Sequence, residues 1–178
     1  IFNIALPSAG SKLFGTFTWF LEPIIFLKAL TVSGLAAGAA TTLYGIISGV
    51  HIPLLLFPAF IPAALAIVLI PAVSSALASN NYPLLNKRIT HSLRLSSLIG
   101  CMAATVFFIH GDELTMVLFH LEENRGYMKI LAPIFYFYYI QSPLHSILQA
   151  LDEAQAAMMN SIYGGIGKLF LLFFLASQ

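Results

Sequence analysis

The residue pair with the most chemistry in this sequence is Glu22-Pro23, set in the middle of an apolar run. A carboxylate at that depth in a membrane helix must be protonated, paired, or in contact with a water-filled cavity, because leaving it charged in hydrocarbon costs several kcal/mol. The proline withdraws one helical N–H and so exposes a carbonyl one turn earlier, an available ion or proton ligand. Two readings stay open: a cavity-facing group that gates or couples an ion, or an acid that ties two helices together through a lysine. Lys12 lies about three turns earlier and loosely on the same face, with Thr16 and Trp19 between. Lys168 stands mid-way along another apolar run, with Asn160 and Gly164 at i−8 and i−4. A lysine so far from either helix end snorkels poorly and should point inward. It is either an anion contact suited to phosphate or the partner of Glu22 or of a helix carbonyl.

Gln141, His145 and Gln149 recur every four residues, with Ser142 and Ser146 beside them, which makes one polar stripe on an apolar helix. The stripe could line a solute path, with His145 titrating near neutral pH. Interhelical hydrogen bonding is the commoner use of such residues. His51, shortly before Pro53, reads as a satisfied buried histidine.

Other patterns fail on inspection. Gly164-Gly165-Ile166-Gly167-Lys168 lacks the early glycine of a phosphate loop, since Ile162 stands there, and Leu169 replaces the hydroxyl residue. Those glycines are expected to serve close helix packing. The five histidines sit on different segments without metal-like spacing, so no metal or other cofactor is expected. No serine or cysteine has a base and an orienting acid nearby in sequence, and nothing argues for an enzyme. Cys101 is the only cysteine, which leaves no disulfide framework.

The elements that must position these residues follow from composition. Hydrophobic residues make up 59% and charged residues 8% of the chain, too little charge to cover a globule in water. Mean hydropathy is +0.90, and most of the surface must face lipid or other helices. A net charge of +1 gives no reason to expect nucleic-acid binding. Five transmembrane helices are predicted, at about 6–30, 42–78, 93–109, 127–151 and 157–176. The second holds Pro53, Pro58, Pro62 and Pro71 and is expected to kink, because lipid tolerates proline only where freed backbone groups find partners. Ser79-Asn80-Asn81-Tyr82-Pro83 is a turn, and Leu84–Arg94 reads as a short basic amphipathic stretch. An acidic loop with Asp112, Glu113, Glu122 and Glu123 is expected next, with apolar Leu114–Phe119 at the interface. Tyr127, Tyr136, Tyr138 and Tyr139 make the fourth span aromatic-rich, with some of them expected in an interfacial belt, and short loops predict antiparallel neighbours. Counting Lys and Arg favours a cytoplasmic second loop by a narrow margin. The chain starts at Ile1 without methionine and is expected to be a block cut from a larger integral membrane protein, with no signal peptide.

The run Leu43-Tyr44-Gly45, Ser48-Gly49, Ile52-Pro53-Leu54-Leu55-Leu56-Phe57-Pro58 and Leu69-Ile70-Pro71-Ala72-Val73-Ser74 resembles the stage V sporulation protein B family of polysaccharide transporters. So do Phe20-Leu21-Glu22-Pro23, Leu131-Ala132-Pro133 and Gln141-Ser142-Pro143-Leu144 with Leu148-Gln149. The resemblance covers essentially the whole chain, and the proline-studded second span is its most specific part. That family lies within the superfamily of multidrug, oligosaccharidyl-lipid and polysaccharide exporters, which includes the lipid II flippases.

The resemblance implies two six-helix lobes about a central cavity, with this chain forming the first five helices of the second lobe and the N-terminal lobe missing. It implies a multi-pass protein of the bacterial cytoplasmic membrane that flips undecaprenyl-pyrophosphate-linked sugars, such as the peptidoglycan precursor, by alternating access. On it, Lys12 and Lys168 match basic positions and become pyrophosphate contacts, with Gln141 and Gln149 as further substrate contacts. Glu22, Pro23 and His145 become gating or ion-coupling groups, with a coupling cation as a further partner. Two alternatives remain: a cation-coupled drug exporter on the same fold, or a non-transporting scaffold whose polar residues only join helices.

Overall fold

The computed structural model describes residues 2–121 and 126–176, so Glu122 and Glu123 of the expected acidic loop lie outside the described residues. All described secondary structure is helical. In chain order it comprises α1 (Phe2–Val32), α2 (Ala37–Ile46), α3 (Ile52–Leu56), α4 (Phe60–Ala78), α5 (Tyr82–Phe119), α6 (Tyr127–Ala150) and α7 (Ala154–Ala176). A π-helical turn over Ile47–His51 and a 3-10 turn over Phe57–Ala59 flank α3, so Ala37–Ala78 is one helical run and the chain holds five rods. Among the described residues, four runs are long and apolar enough to cross a membrane: Lys12–Val32, Ala37–Ala78, Tyr82–Phe119 and Gln155–Phe174.

The prolines account for the changes of helix type. Pro53 has no N–H for the Gly49 carbonyl, and the π-helical turn over Ile47–His51 lies directly before it. Pro58 similarly abandons the Leu54 carbonyl, which the Phe57 N–H takes up in the tighter register. The expected kink is therefore two adjustments of helix pitch.

α5 corrects three expectations at once. The basic stretch Leu84–Arg94, the third span at 93–109 and the apolar Leu114–Phe119 are all parts of one helix of 38 residues, about 57 Å long. Asp112 and Glu113 lie within it. Asn80 and Asn81 set its start. Asn80 takes the left-handed conformation, and the Asn80 and Asn81 N–H groups close α4 on the Leu77 and Ala76 carbonyls at 3.0 Å each. The Asn81 side chain then accepts from the Leu84 N–H at 3.1 Å and caps α5. Gly34 does the same for α1, at φ +92°, with the Leu35 N–H returning to the Leu30 carbonyl at 3.1 Å.

The chain divides into two compact units, 1–46 with 152–178, and 47–151. In the first, α1 and α2 form an antiparallel hairpin with Ala29 and Ala40 fully buried and the Phe26 and Tyr44 rings 5.5 Å apart. α7 runs parallel to α1, because contacts ascend both helices together: Gly10 meets Met158, Phe14 and Thr18 meet Gly165, and Glu22 meets Lys168. Only Gly165 of the 164–167 glycines packs closely, whereas Gly164 and Gly167 face open space. The expectation that all three serve packing holds at one position.

The second unit packs α4, α5 and α6 around two cores. One is Leu69, Val73, Ala76, Leu85, Ile147 and Ala150; the other is Leu55, Phe107, Met128 and Ala132. Small residues on one face of α5, namely Ser92, Ser96, Gly100 and Gly111, are buried and let α6 approach. A Cβ at Gly111 would stand 2.7 Å from Met128 Cβ, and one at Gly100 would stand 3.1 Å from the Tyr139 ring. Arg88 fastens α5 to α4 by donating to the Ala72 carbonyl and, at 3.1 Å, to Ser75 Oγ.

Gly111→Ala is expected to destabilise the full-length protein by about 1–3 kcal/mol through overpacking. Gly45→Ala, where a Cβ meets nothing within 4 Å, should leave the melting temperature unchanged or slightly raised. Thermal melts of both variants in detergent check the contrast.

Candidate functional site

The first unit brings Glu22 and Lys168 together. Lys168 Nζ donates to Glu22 Oε2 at 2.6 Å. Glu22 is ten residues from either end of the run Lys12–Val32, about 15 Å each way, which is half the thickness of a bilayer core. The pairing that was one reading of each residue is present, and it leaves the cavity-facing reading of Glu22 and the anion-contact reading of Lys168 open. The two side chains are unequally placed: Lys168 is 48% exposed and Glu22 19%. The ammonium is the outer member and the carboxylate the inner one.

The local sequence explains why the helices meet here. Gly165, one turn before Lys168, removes the side chain that would hold the helices apart, and a Cβ there would come within 2.9 Å of the Phe14 ring and 3.0 Å of Thr18 Oγ1. Thr18 turns its hydroxyl back to the Phe14 carbonyl at 2.9 Å and is buried. Pro23 withdraws the N–H due to the Trp19 carbonyl, and Trp19 is 70% exposed. Lys12 is exposed; the Thr16 hydroxyl donates to its carbonyl at 2.9 Å, and its ammonium has no hydrogen bond or ion pair among the described residues.

The remaining candidates lie in the second unit. His145 Nε2 and Gln149 Nε2 are 3.0 Å apart, one turn apart on α6, and both residues are half-buried. Gln141 is exposed, on a face shared with Ile134, Phe137, Tyr138 and Leu144, and makes no side-chain hydrogen bond among the described residues. The expected stripe is thus two joined residues and one outlier. His51 is buried as expected, 2% exposed, with its ring edge-on to Tyr127 at 5.9 Å.

Of the four tyrosines, some of which are expected in an interfacial belt, Tyr139 is fully buried and donates to the Leu55 carbonyl at 2.5 Å. In the 3-10 register that begins there, the N–H due to Leu55 would belong to Pro58, which has none. The tyrosine supplies the missing donor. A proline three residues after Leu55 was the available signal. Tyr136 is likewise tied inward, its hydroxyl 2.8 Å from Ser97 Oγ.

Two curated relatives align with nearly all of this chain. Stage V sporulation protein B of Bacillus subtilis is 36% identical over 178 residues, all of this chain and 34% of that protein. Sporulation protein YkvU of the same organism is 30% identical over 175 residues, 98% of this chain and 39% of that protein. The chain is homologous to both. It spans between a third and two fifths of the length of the relatives it matches. No family model and no solved structure matches.

Removing one member of the mid-span pair leaves the other charge uncompensated. Glu22→Gln and Lys168→Met are each expected to lower the melting temperature of the full-length protein in lipid nanodiscs. The double variant should recover part of the loss, giving a coupling of about 1–3 kcal/mol in a double-mutant cycle. Strict additivity of the two losses would mean that the pair contributes nothing.

Proposed function

We propose that this chain is the first five helices of one lobe of a multi-pass flippase in a bacterial cytoplasmic membrane. Its cargo is a diphosphate-linked lipid carrying sugar, moved by alternating access. The observation that carries the reading is Lys168 on α7, paired at mid-span with a carboxylate of α1, together with Lys12, about three turns away on α1 and unpaired among the described residues. An anionic headgroup crossing hydrocarbon needs fixed cations along its way, and few other tasks call for lysine there. Similarity along this whole chain to parts of two sporulation proteins supports a role in envelope assembly.

The parallel course of α1 and α7 supports five crossings. Two parallel membrane helices must be separated by an odd number of spans. Ala37–Ala78 and Tyr82–Phe119 supply two, so α6 supplies the third although its tyrosines, His145 and glutamines lower its hydropathy. Ile130, Ile134, Phe137 and Leu144 form an outward stripe on α6 that suits lipid. The remaining length of the relatives leaves room for a second lobe to close the cavity.

The spacing of the lysines refines the chemistry. Lys12 and Glu22, which marks the level of Lys168, are ten residues apart on α1, or about 15 Å. That separation suits two successive stations for a headgroup rather than one clamp. Gln149 is proposed as a contact for the polar sugar portion, with His145, joined to it, in the gating or coupling set; Gln141, on the face of α6 that suits lipid, is left out of the site. Glu22 with Pro23 is proposed as the gate.

Replacing both Lys12 and Lys168 by methionine in the full-length protein is expected to abolish headgroup translocation, measured as lipid-linked diphosphate reaching the outer leaflet of proteoliposomes. Each single variant should slow it by about tenfold or more. Wild-type rates with both lysines removed would sink the assignment.

A further inference from the structure

We propose that Glu22 is a resident anion on Lys168, occupying the cation in the unloaded lobe and displaced from it by the diphosphate. This rests on the reading of Lys168 as a headgroup contact and adds what that site holds when empty. An ammonium has three donors but compact charge, and a carboxylate at 2.6 Å neutralises most of it. A bare lysine at mid-span would be costly to keep, so an unloaded carrier needs an internal counter-charge. Among the described residues, Lys168 is the one charged group within ion-pairing distance of Glu22, and the reverse holds as well.

Placement makes the pair exchangeable. Lys168 is more than twice as exposed as Glu22, so an anion arriving from the open side reaches the ammonium before the carboxylate. Gly164 lies one turn before Lys168 on the same helix face, and a Cβ there would meet nothing within 4 Å. That leaves open space beside the ammonium. Gly165, next in sequence and about 100° round α7, rests against Phe14 and Thr18, so the helices stay in contact there while the cation changes partner. The carboxylate thus competes with the ligand for one cation, and the strength of the pair sets how much headgroup the unloaded site will accept.

The test uses purified full-length protein in nanodiscs, with inorganic diphosphate and geranylgeranyl diphosphate as separate probes and binding read by calorimetry. Glu22→Gln is expected to tighten diphosphate binding by about tenfold, since the competitor loses its charge. Lys168→Met should weaken binding, and adding Glu22→Gln to it should restore nothing. Gly164→Leu should weaken binding while leaving the melting temperature at the wild-type value. Glu22→Asp, which keeps the charge on a shorter arm, should fall between wild type and Glu22→Gln and serves if the glutamine variant folds poorly. Gain with both probes assigns the site to the diphosphate itself; gain with the prenyl probe alone assigns it to a lipid headgroup. Binding that depends on Lys168 but is unchanged or weakened by Glu22→Gln overturns the competition and leaves the headgroup reading standing. Absence of binding by wild type and Glu22→Gln alike overturns both.

Discussion

Hydrocarbon offers no hydrogen bonds, and that constraint organises nearly everything in this chain. Each proline in the Ala37–Ala78 run withdraws a donor, and the carbonyl left behind must be served from elsewhere. Leu54 is served by a shift to 3-10 pitch, Leu55 by the Tyr139 hydroxyl, and the last carbonyl of α6, on Ala150, by Ser74 Oγ at 3.2 Å. Two of these bonds also tie elements together: Tyr139 joins α6 to α3, and Ser74 joins α4 to α6. The ion pair obeys the same rule for charge: Glu22 and Lys168 each make the other tolerable at mid-span.

Association in lipid cannot rely on expelling water, so close contact must do the work. α5 and α6 meet through Gly100 and Gly111, and α1 and α7 meet through Gly165. Gly164 differs from its neighbour by one helix position and has the opposite use. One removes bulk so that a helix can come near; the other leaves a clearing beside a cation.

Much of this architecture is legible in the sequence because its signals are chemical and local. Apolar length with sparse charge predicts membrane helices, and Asn80-Asn81 predicts the turn between α4 and α5. Glu22 and Lys168 stand out because charge at mid-span has few explanations, and their mutual pairing was one of the two readings open to each. What the residues did not disclose depends on neighbours far along the chain. Tyr139 reads as one candidate for an interfacial belt until the unserved carbonyl at Leu55, 84 residues earlier, is known to lie beside it. The basic segment after Pro83 reads as separate from the third span because its charge interrupts hydropathy, although the backbone stays helical through it. Gln141 shares a periodicity with His145 and Gln149 yet stands apart, since periodicity defines a face without saying what covers it.

The pairing of Glu22 with Lys168 joins positions 146 residues apart, and this has a bearing on biogenesis. A ribosome adding about 5–20 residues per second needs roughly 7–30 s to travel between them. Throughout that interval α1 has been made and its carboxylate has no lysine to meet. Glu22 therefore enters the bilayer without Lys168 beside it, or waits at the insertion machinery until α7 arrives. Completion of the fifth helix then becomes the step that commits the lobe, and any truncation before Lys168 leaves behind a helix with a reason to be rejected.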